Sequence, residues 1–345
     1  MVEKNNEDGL RREKSPVSVI IPCYNAEKTI GNLVESIVSD ANWRDDDEVI
    51  VVDDCSTDGS LAESGGKGAI VVSLDRNSGP SVARNEGVRA AKNDILFFMD
   101  ADTLLEPGSI SAVKDHYAKE NFSSCVNGRC SVIPIDPGIG EAYKGLVEYS
   151  WHEQIIQEGS PISCFNTRAG ALTRQAFLDA GGFDSKYRKA EVEDYEFSYR
   201  LIKKHEILLD SRIQVRHQFP GILKTVKDYW NRTGKWVELF FERKRFDSGG
   251  TSAGNGLGHI IGGLFPFVFL LGIWETVFLA PSLLLLGIFF WLFRDFFALV
   301  YRKKGIPFLT VSVMLHLLYS VVILSSAGLS FLSLFFRRLT SPQSN

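Results

Sequence analysis

Short apolar runs alternate with amphipathic stretches over the first hundred residues of the chain. Two stretches, 26–39 and 81–92, place apolar side chains at helical spacing. Four runs rich in β-branched or aromatic residues and bounded by turn residues predict buried strands: VSVIIP (17–22), EVIVV (48–52), GAIVVSL (68–74) and DILFFM (94–99). Strand and helix in alternation predict an α/β fold with a mostly parallel sheet.

The pattern from residue 105 to 220 is less regular. GRCSVIPI (128–135) and SRIQVRHQF (211–219) read as strands, and RAGALTRQAFLDAGGFD (168–184) as a strand edge, a helix and a glycine turn. KAEVEDYEFSYRLIKKH (189–205) has helical spacing and places Glu193 and Asp194 in the first turn. The helix dipole favours an ionised acid at that position.

Residues 222–246 form an amphipathic pattern in which basic and aromatic residues share a predicted helix. This composition, directly before an apolar region, favours a helix at a membrane surface. An ordinary amphipathic core helix is the alternative.

Three long runs without a charged side chain follow: 256–274, 277–293 and 306–336. Because a spanning helix needs roughly 20 apolar residues, we expect about three membrane spans, at 257–274, 277–297 and 306–334. ERKR (242–245) and YRKK (301–304) predict a cytoplasmic side for the residues before the first span. Arg337 and Arg338 do not fit a simple third crossing, so the last run is either re-entrant or an exception to the positive-inside rule.

Charge and cysteine content support this division of the chain. Its 345 residues carry a net charge of −4, but 255–345 contains six basic and two acidic side chains. The five cysteines have no metal-ligand spacing, which favours reduced thiols in a reducing compartment. We expect four parts, in a multi-pass protein of the cell inner membrane or plasma membrane with a cytoplasmic catalytic domain: a disordered tail (1–15), an α/β domain (16–220), interfacial helices (221–254) and a transmembrane region (255–336).

Acidic residues follow two of the predicted strands. Asp53 and Asp54 end one, and Asp100 and Asp102 follow another. Ligands of open α/β sheets bind beyond the carboxyl ends of the strands, and clustered carboxylates there suit Mg²⁺ or Mn²⁺. For Asp58, in STDGS, capping of a turn is the favoured interpretation.

Five motifs in order resemble family 2 glycosyltransferases with the GT-A fold: VSVIIPCYNAEKTI, VVDDCSTDGS, RNSGPSVARNEGV, FMDADT and GGFD followed by VEDYEFSYRL. The resemblance covers about residues 16–220. The tail, with MLHLLYSVVILSSAGLS (314–330), is similar to that of bacterial exopolysaccharide and lipid-linked-sugar glycosyltransferases.

The resemblance implies an inverting transfer of a single sugar from a nucleotide sugar, most simply a UDP-sugar. Asp194 matches the family's general base and Glu193 its acidic neighbour, with helix capping as the alternative. Asp102 matches the ligand of the metal, Mg²⁺ or Mn²⁺, and Asp100 matches a position on the cation or on the ribose. His217 matches a histidine near the metal or the diphosphate, with a hydrogen-bonded core histidine as the alternative. The implied donor-binding residues are Pro22, Tyr24 (stacking on the base), Asn25, Glu27, Asp53, Asp54 (accepting from the base), Asn77, Gly79, Arg84, Asp100 and Ala101.

One departure from the family concerns the acceptor. Processive members carry Gln-x-x-Arg-Trp after the base, whereas this chain has Arg232, Lys235 and Trp236 in the nearest stretch, RTGKW. We therefore expect single-sugar addition to a membrane-associated acceptor of polyprenyl-diphosphate type, with these three residues near its phosphate. Membrane lipids are expected partners and nucleic acid is not.

Two other functions share parts of this pattern. A nucleotidyltransferase also pairs a nucleotide pocket with acidic metal ligands, but no Gly-rich basic signature is present. A membrane-anchored scaffold with an inactive transferase domain is the non-enzymatic alternative, and the presence of Asp100, Asp102 and Asp194 together argues against it.

Overall fold

A computed structural model describes residues 14–136, 138–155, 161–189, 192–244, 246 and 251–340. The expected disordered tail therefore lies almost wholly outside the described residues. The chain divides into two compact units, Met1–Ser131 with Gln157–His217, and Val132–Ile156 with Gln218–Asn345. Residues 132–156, which the motif pattern placed in the 16–220 domain, belong to the second unit.

The first unit is built on one mixed sheet of order β3-β2-β1-β4-β8-β6-β9-β5, with β7 paired to β9. Six strands, β1 to β4, β6 and β9, run one way, and β5, β7 and β8 run the other. The strands are β1 (Val17–Cys23), β2 (Glu48–Asp53), β3 (Ile70–Ser73), β4 (Ile95–Phe98), β5 (Thr103–Leu105), β6 (Cys125–Cys130), β7 (Pro161–Ile162), β8 (Gly170–Thr173) and β9 (Ile207–His217). The predicted α/β fold with mostly parallel strands is confirmed.

Helices cover this sheet. They are α1 (Ile30–Val38), α2 (Ser60–Gly65), α3 (Pro80–Ala90), α4 (Ser109–Tyr117), α6 (Arg174–Ala180) and α7 (Glu193–Leu201). Pro80 stands at the start of α3, where a missing N–H costs nothing, and Gly79 before it has φ of 92°. α3 packs on β1 and β2.

Parallel strands that are covered on both faces must be apolar along their whole length. Every residue of β2 and β4 is buried, as is all of β1 except Pro22. Phe98 of β4 packs on Phe183 with ring centroids 5.6 Å apart, and Phe183 stacks on Phe197 of α7 at 4.3 Å. This aromatic contact fixes the first turn of α7 relative to the end of β4.

The second unit consists of helices: α5 (Ile139–Ile155), α8 (Ile222–Arg243), α9 (Ala253–Trp274), α10 (Leu279–Leu292) and α11 (Arg294–Thr340). A 3₁₀ turn, Thr276–Phe278, separates α9 from α10. α11 is kinked at Gly305, whose φ of 76° is not helical. The core of the second unit contains Tyr143 and Leu146 of α5 together with Phe289, Phe296 and Tyr319.

In the part of the chain that the structure describes, two helices, Ala253–Trp274 and Arg294–Phe336, are long and apolar enough to cross a membrane, and the apolar segment Thr276–Leu292 is shorter. Large apolar side chains such as Leu270, Trp274 and Met314 are exposed on them. The predicted span 277–297 is wrong as a single helix, because Phe293 leaves helical geometry between α10 and α11.

Other elements also differ from the predictions. The strand expected at 128–135 is wrong beyond Cys130, where β6 ends. α5 was not predicted, because its apolar and polar residues do not separate clearly onto two faces. None of the five cysteines, all of which lie in the described part of the chain, forms a disulfide.

The packing of α3 on the sheet depends on Gly87. A Cβ at this position would lie 2.4 Å from Cγ2 of the buried, β-branched Ile20. We expect Gly87→Ala to lower the free energy of unfolding by about 1–3 kcal/mol. Urea unfolding followed by circular dichroism of the purified chain measures this change.

Gly65→Ala is the matched control. Its Cβ would meet nothing closer than Val71 Cγ2 at 3.9 Å. We expect the free energy of unfolding to stay the same or to rise by up to about 1 kcal/mol, because alanine lowers the conformational entropy of the unfolded chain. Equal stability of the Gly87→Ala protein and the wild type would contradict the close approach of α3 to β1.

Candidate active site

The acidic residues singled out in the sequence gather at one edge of the sheet. Asp53 is the last residue of β2, Asp54 follows it, and Asp100, Ala101 and Asp102 follow β4. β2 and β4 both flank β1 in parallel, so their carboxyl ends lie at the same edge. The predicted gathering of acidic residues beyond the strand ends is present in the fold.

Arg84 of α3 joins two of the carboxylates. Its Nη2 lies 2.8 Å from Asp100 Oδ1, and its Nη1 lies 3.2 Å from Glu193 Oε1. The residue is only 3% exposed, and its guanidinium lies 5.4 Å from the centre of the Phe183 ring. Burial alone would lower the pKa of Arg84, but the two carboxylates raise it, so the side chain stays charged.

Asp194 is the residue after Glu193, in the first turn of α7. Its Oδ1 accepts a hydrogen bond from the Tyr195 N–H at 2.9 Å, and its side chain is partly exposed. The N-cap position of α7 is Val192, which supplies no side-chain cap. Glu193 Oε1 is paired with Arg84 Nη1. The helix dipole and the local N–H group both favour the ionised form of Asp194.

Asp102 and His217 form a second pair. Thr103 of β5 is opposite His217 of β9, which brings His217 Nε2 to 3.2 Å from Asp102 Oδ1. The Asp102 side chain is 48% exposed. Burial would raise the pKa of Asp102, but His217 and then Arg168 outweigh it, so that pKa lies below its usual value. The two atoms are close but not aligned as a hydrogen bond, since Asp102 Oδ1 has no hydrogen-bond partner of good geometry among the described residues.

These two side chains have the chemistry of a small divalent-cation site. Among the described residues, no three His, Cys, Asp or Glu side chains converge as a metal site. Mg²⁺, however, is usually held by one or two protein ligands together with substrate phosphates. Asp102 and His217 fit such a partial site. Asp100 fits it less well, because its Oδ1 is bound by Arg84.

Asp54 is engaged by the loop before α3. Its two carboxylate oxygens accept hydrogen bonds from the N–H groups of Ser78 and Gly79, both at 2.7 Å. A Cβ on Gly79 would lie 2.6 Å from the backbone of Arg188, so only glycine fits there. Asp54 therefore holds the start of α3 in place, and with it Arg84. Any contact of Asp54 with a nucleotide base must share these oxygens.

Tyr24 and its neighbours form a loop that borders the strand ends. The Tyr24 ring is 49% exposed. Asn25 Oδ1 accepts from the Thr57 N–H at 2.9 Å, and Glu27 Oε2 accepts from the Gly59 N–H at 3.2 Å. These bonds tie the loop after β1 to the loop after β2 and leave the aromatic ring of Tyr24 at the surface.

Two aspartates, Asp53 and Asp58, also accept hydrogen bonds from backbone N–H groups of the loop after β2. Asp53 accepts from the Ser56 N–H at 3.3 and 3.4 Å, and Asp58 Oδ1 accepts from the Ser60 N–H at 3.0 Å. The capping interpretation of Asp58 is confirmed. Pro22 ends the apolar part of β1, and Asn77 lies in the exposed loop that Asp54 binds.

The candidate acceptor residues belong to the second unit. Arg232 and Lys235 are exposed on α8, and Trp236 stacks on Phe240 with centroids 5.4 Å apart. Arg168 and Phe183 were missed in the sequence. Phe183 belongs to the GGFD motif, but its contact with Arg84, like the effect of Arg168 on Asp102, exists only in the folded chain.

The double pairing of Arg84 predicts a large effect on stability. Arg84→Met leaves the buried Glu193 and the partly buried Asp100 without their cation. We therefore expect the free energy of unfolding to fall by about 3 kcal/mol. Arg89→Met is the control, because Arg89 lies on the same helix and pairs with Glu86 but is 70% exposed. The control should cost less than about 1 kcal/mol. Urea unfolding that gives equal losses for the two variants would contradict a special role for Arg84.

Part of this chain is similar to known proteins. The family model for glycosyl transferase family 2 matches residues 18–182. The poly(ribitol-phosphate) beta-glucosyltransferase of Bacillus spizizenii is 32% identical over 120 residues, which are 33% of this chain and 19% of that protein. An uncharacterized glycosyltransferase of Haemophilus influenzae is 26% identical over 194 residues, 54% of this chain and 62% of that one. The chain thus spans less than two thirds of the length of these relatives.

A solved structure shows the same fold at low identity. The mannosyltransferase PcManGT from Pyrobaculum calidifontis, in complex with GDP-Man and Mn²⁺, aligns with a TM-score of 0.54 and 17% identity, over 93% of this chain and 88% of that chain. The expected GT-A architecture is confirmed at the level of the fold. The segment similar to glycosyl transferase family 2, residues 18–182, contains the strand-end aspartates and Arg84.

Proposed function

We propose that this chain is an inverting, metal-dependent glycosyltransferase that moves a single sugar from a nucleotide sugar to a membrane-associated acceptor. The observation that carries the proposal is the Arg84 bridge between Asp100, at the end of β4, and Glu193, next to Asp194. One guanidinium thereby holds the donor side and the candidate base in a single cluster.

The donor nucleotide binds along the strand ends in this proposal. The exposed Tyr24 ring offers a stacking surface for the base, and Asp53 and Asp54 stand beside it at the end of β2. The loop that carries Asn77 and Gly79 borders the same edge. A UDP-sugar is the donor we favour.

Asp102 and His217 hold Mg²⁺ or Mn²⁺ in this proposal. When bound, the cation neutralises charge on the departing nucleoside diphosphate. The partial exposure of Asp102 leaves room for phosphate oxygens to complete the coordination. His217 is fixed by the β5–β9 ladder, so its imidazole reaches the site with little loss of conformational freedom.

Asp194 is the general base. Its carboxylate accepts the proton of the acceptor hydroxyl while the hydroxyl oxygen bonds to the anomeric carbon. The bond from that carbon to the diphosphate oxygen breaks with its electron pair, and the nucleoside diphosphate leaves. One displacement without a covalent enzyme intermediate gives the inverted anomer. Glu193, held by Arg84, keeps the first turn of α7 in position.

The helices of the second unit suggest a membrane location. Their large apolar side chains are exposed, while α8 presents exposed Lys224, Lys227, Arg232 and Lys235. Such a basic surface beside apolar helices suits anionic headgroups. We propose a cytoplasmic catalytic domain and an acceptor of polyprenyl-phosphate or polyprenyl-diphosphate type, used in cell-surface polysaccharide or glycolipid assembly.

Asp194→Asn tests the assignment of the base. Because the amide cannot accept the proton, we expect kcat to fall about 10²–10⁴-fold with UDP binding changed by less than a few-fold. The measurement is transfer of radiolabelled sugar from a panel of UDP-sugars into the lipid extract of membranes that contain the protein, together with release of UDP.

Glu196→Gln is the control for this variant. Glu196 lies on the same helix and pairs with Arg200 at 2.7 Å, away from Arg84. We expect its turnover to match the wild type. Unchanged turnover in Asp194→Asn would contradict the assignment of the base, and a wild type without any turnover would revive the scaffold interpretation. Release of pyrophosphate instead of UDP would support a nucleotidyltransferase.

Removal of the metal tests the assignment of Asp102 and His217 as its ligands. EDTA should abolish transfer, and Mg²⁺ or Mn²⁺ should restore it. We expect Asp102→Asn to raise the half-saturating cation concentration by about tenfold or more, since an amide is a weaker ligand than a carboxylate. Asp179→Asn is the control, because Asp179 also pairs with a histidine, His205, at 3.0 Å, but on α6. A fully active EDTA-treated enzyme would refute metal dependence.

A further inference from the structure

A buried serine of α7 joins the candidate base to another part of the first unit. Ser198 is 0% exposed. Its Oγ donates a hydrogen bond to the Asp194 carbonyl oxygen at 2.5 Å and accepts one from the Phe165 N–H at 2.7 Å. The first bond lies within α7, whereas the second joins residues 33 positions apart in the chain. Ser198 therefore links the backbone of Asp194 to the segment between β7 and β8.

The bond to Phe165 distinguishes Ser198 from an ordinary helical serine. Serine hydroxyls inside helices can donate to the carbonyl oxygen four residues earlier, so the bond to Asp194 is by itself a common local contact. Phe165 is also 0% exposed, and a buried backbone N–H needs an acceptor. For this N–H the acceptor is a side chain of α7 instead of a neighbouring strand. Loss of the hydroxyl would leave the Phe165 N–H buried without it.

The segment between β7 and β8 is itself fixed to the sheet. Asn127 of β6 is 1% exposed, and its side chain bonds two backbone groups of the segment. Asn127 Oδ1 accepts from the Asn166 N–H at 3.1 Å, and Asn127 Nδ2 donates to the Cys164 carbonyl oxygen at 2.8 Å. The segment is thus a firm attachment point, and Ser198 connects α7 to it.

The same segment leads to the pair formed by Asp102 and His217. Asn166 Oδ1 accepts from the Arg168 N–H at 3.1 Å and from the Arg168 Nε–H at 3.3 Å, which orients the guanidinium. Arg168 is one of the positive charges that act on Asp102. The contacts that begin at the Asp194 carbonyl oxygen therefore continue to a residue beside the proposed metal ligand.

Asp194 and Asp102 need a fixed separation in the proposed function. The base has to face the acceptor hydroxyl while the leaving diphosphate is at the cation, and a displacement of about 1 Å can cost about 10²-fold in rate. The Arg84 bridge supplies one link from α7 to the donor side. We propose that Ser198 is a positioning residue that supplies a second link, by fixing the first turn of α7, and with it Asp194, to the segment that carries Arg168.

This role of Ser198 rests on the proposed function, in which Asp194 is the base. The alternative is that the hydroxyl only stabilises the fold, and a second serine offers a matched control for that. Ser18 is also 0% exposed, and its Oγ donates to Glu48 Oε1 at 2.6 Å and accepts from the Asn93 N–H at 3.2 Å. Ser18 lies near the amino end of β1, at the opposite edge of the sheet from the strand-end aspartates.

Ser198→Ala and Ser18→Ala in the full chain test the proposal. Each variant loses a buried hydroxyl and leaves one backbone N–H without its acceptor, so we expect similar decreases in the midpoint of urea unfolding. For Ser198→Ala we expect kcat per UDP-binding site to fall about tenfold or more, with the KM for the UDP-sugar changed by less than about twofold. For Ser18→Ala both constants should match those of the wild type.

Counting the UDP-binding sites separates positioning from stability. The number of sites is measured by calorimetry with UDP, and turnover is measured with membranes that contain the same variant. A role in stability alone would lower the number of sites in Ser198→Ala and leave kcat per site at the wild-type value, and this result would overturn the proposal. An equal fall of kcat per site in Ser18→Ala would overturn it as well, because that hydroxyl has no link to α7.

Hydrogen exchange tests the link without any turnover. In Ser198→Ala the N–H groups of Phe165 and of residues 196–198 should exchange at least about tenfold faster than in the wild type, because α7 opens more easily at that point. In Ser18→Ala the same groups should exchange at the wild-type rate. Unchanged exchange in Ser198→Ala would show that the hydroxyl does not hold α7 to the segment.

Ser198→Cys covers the case in which Ser198→Ala does not fold. The thiol has a similar shape, but its S–H is a weak donor and its sulfur a weak acceptor. We expect kcat per site to fall about threefold, and wild-type turnover in this variant would overturn the proposal. Transfer that depends on Asp194 but not on Ser198 would support the proposed function and reject the positioning role. A wild type without any transfer would refute the proposed function, and with it a role of Ser198 in the reaction.

Discussion

The Arg84 guanidinium is the contact on which the geometry of the candidate active site depends. A buried cation must be paired, and a guanidinium can pair with two carboxylates because its N–H groups form a rigid fork. Arg84 uses that fork for Asp100 and Glu193, which are 93 positions apart in the chain. Loss of either partner would leave a buried charge, so the end of β4 and the start of α7 are held together by electrostatics as well as by the Phe98–Phe183–Phe197 packing.

Two further contacts position α3, the helix that carries Arg84. Asp54 binds the N–H groups of Ser78 and Gly79 and thereby fixes where α3 begins. Gly87 lets the same helix approach β1. The strand ends, the loop before α3 and the first turn of α7 therefore form one connected arrangement, in which each polar contact positions the next. Rigid support of this kind is what a site needs to hold a reacting hydroxyl and a leaving group in line.

The sequence predicted the part of this arrangement that depends on local pattern. The β-branched runs predicted β1, β2 and β4, and the alternation of strand and helix then placed Asp53, Asp54, Asp100 and Asp102 at one edge. The sequence could not predict that the Asp54 carboxylate accepts hydrogen bonds from backbone N–H groups, or that Arg84 forms ion pairs with two carboxylates. Both depend on loop conformation and on contacts between residues distant in sequence. α5 was missed for a related reason: its side chains are buried by α8 and α11, so its pattern has no clear polar face.

The second unit reverses the polarity of the first. In the first unit apolar side chains are inside and charged groups meet at the rim, whereas α9 and α11 expose Leu, Ile and Phe and bury Ser312, His316, Ser320 and Ser326. Such a reversal costs free energy in water but little in lipid, where apolar surface needs no cover and polar groups must find partners within the protein. Three of the buried polar side chains have such partners. Ser320 donates to the His316 carbonyl oxygen, and Ser326 donates to the Trp230 carbonyl oxygen. His259 bonds the Ser320 hydroxyl. His316 Nε2 has no hydrogen-bond partner among the described residues, and the adjoining space has room for a single water molecule that could satisfy it.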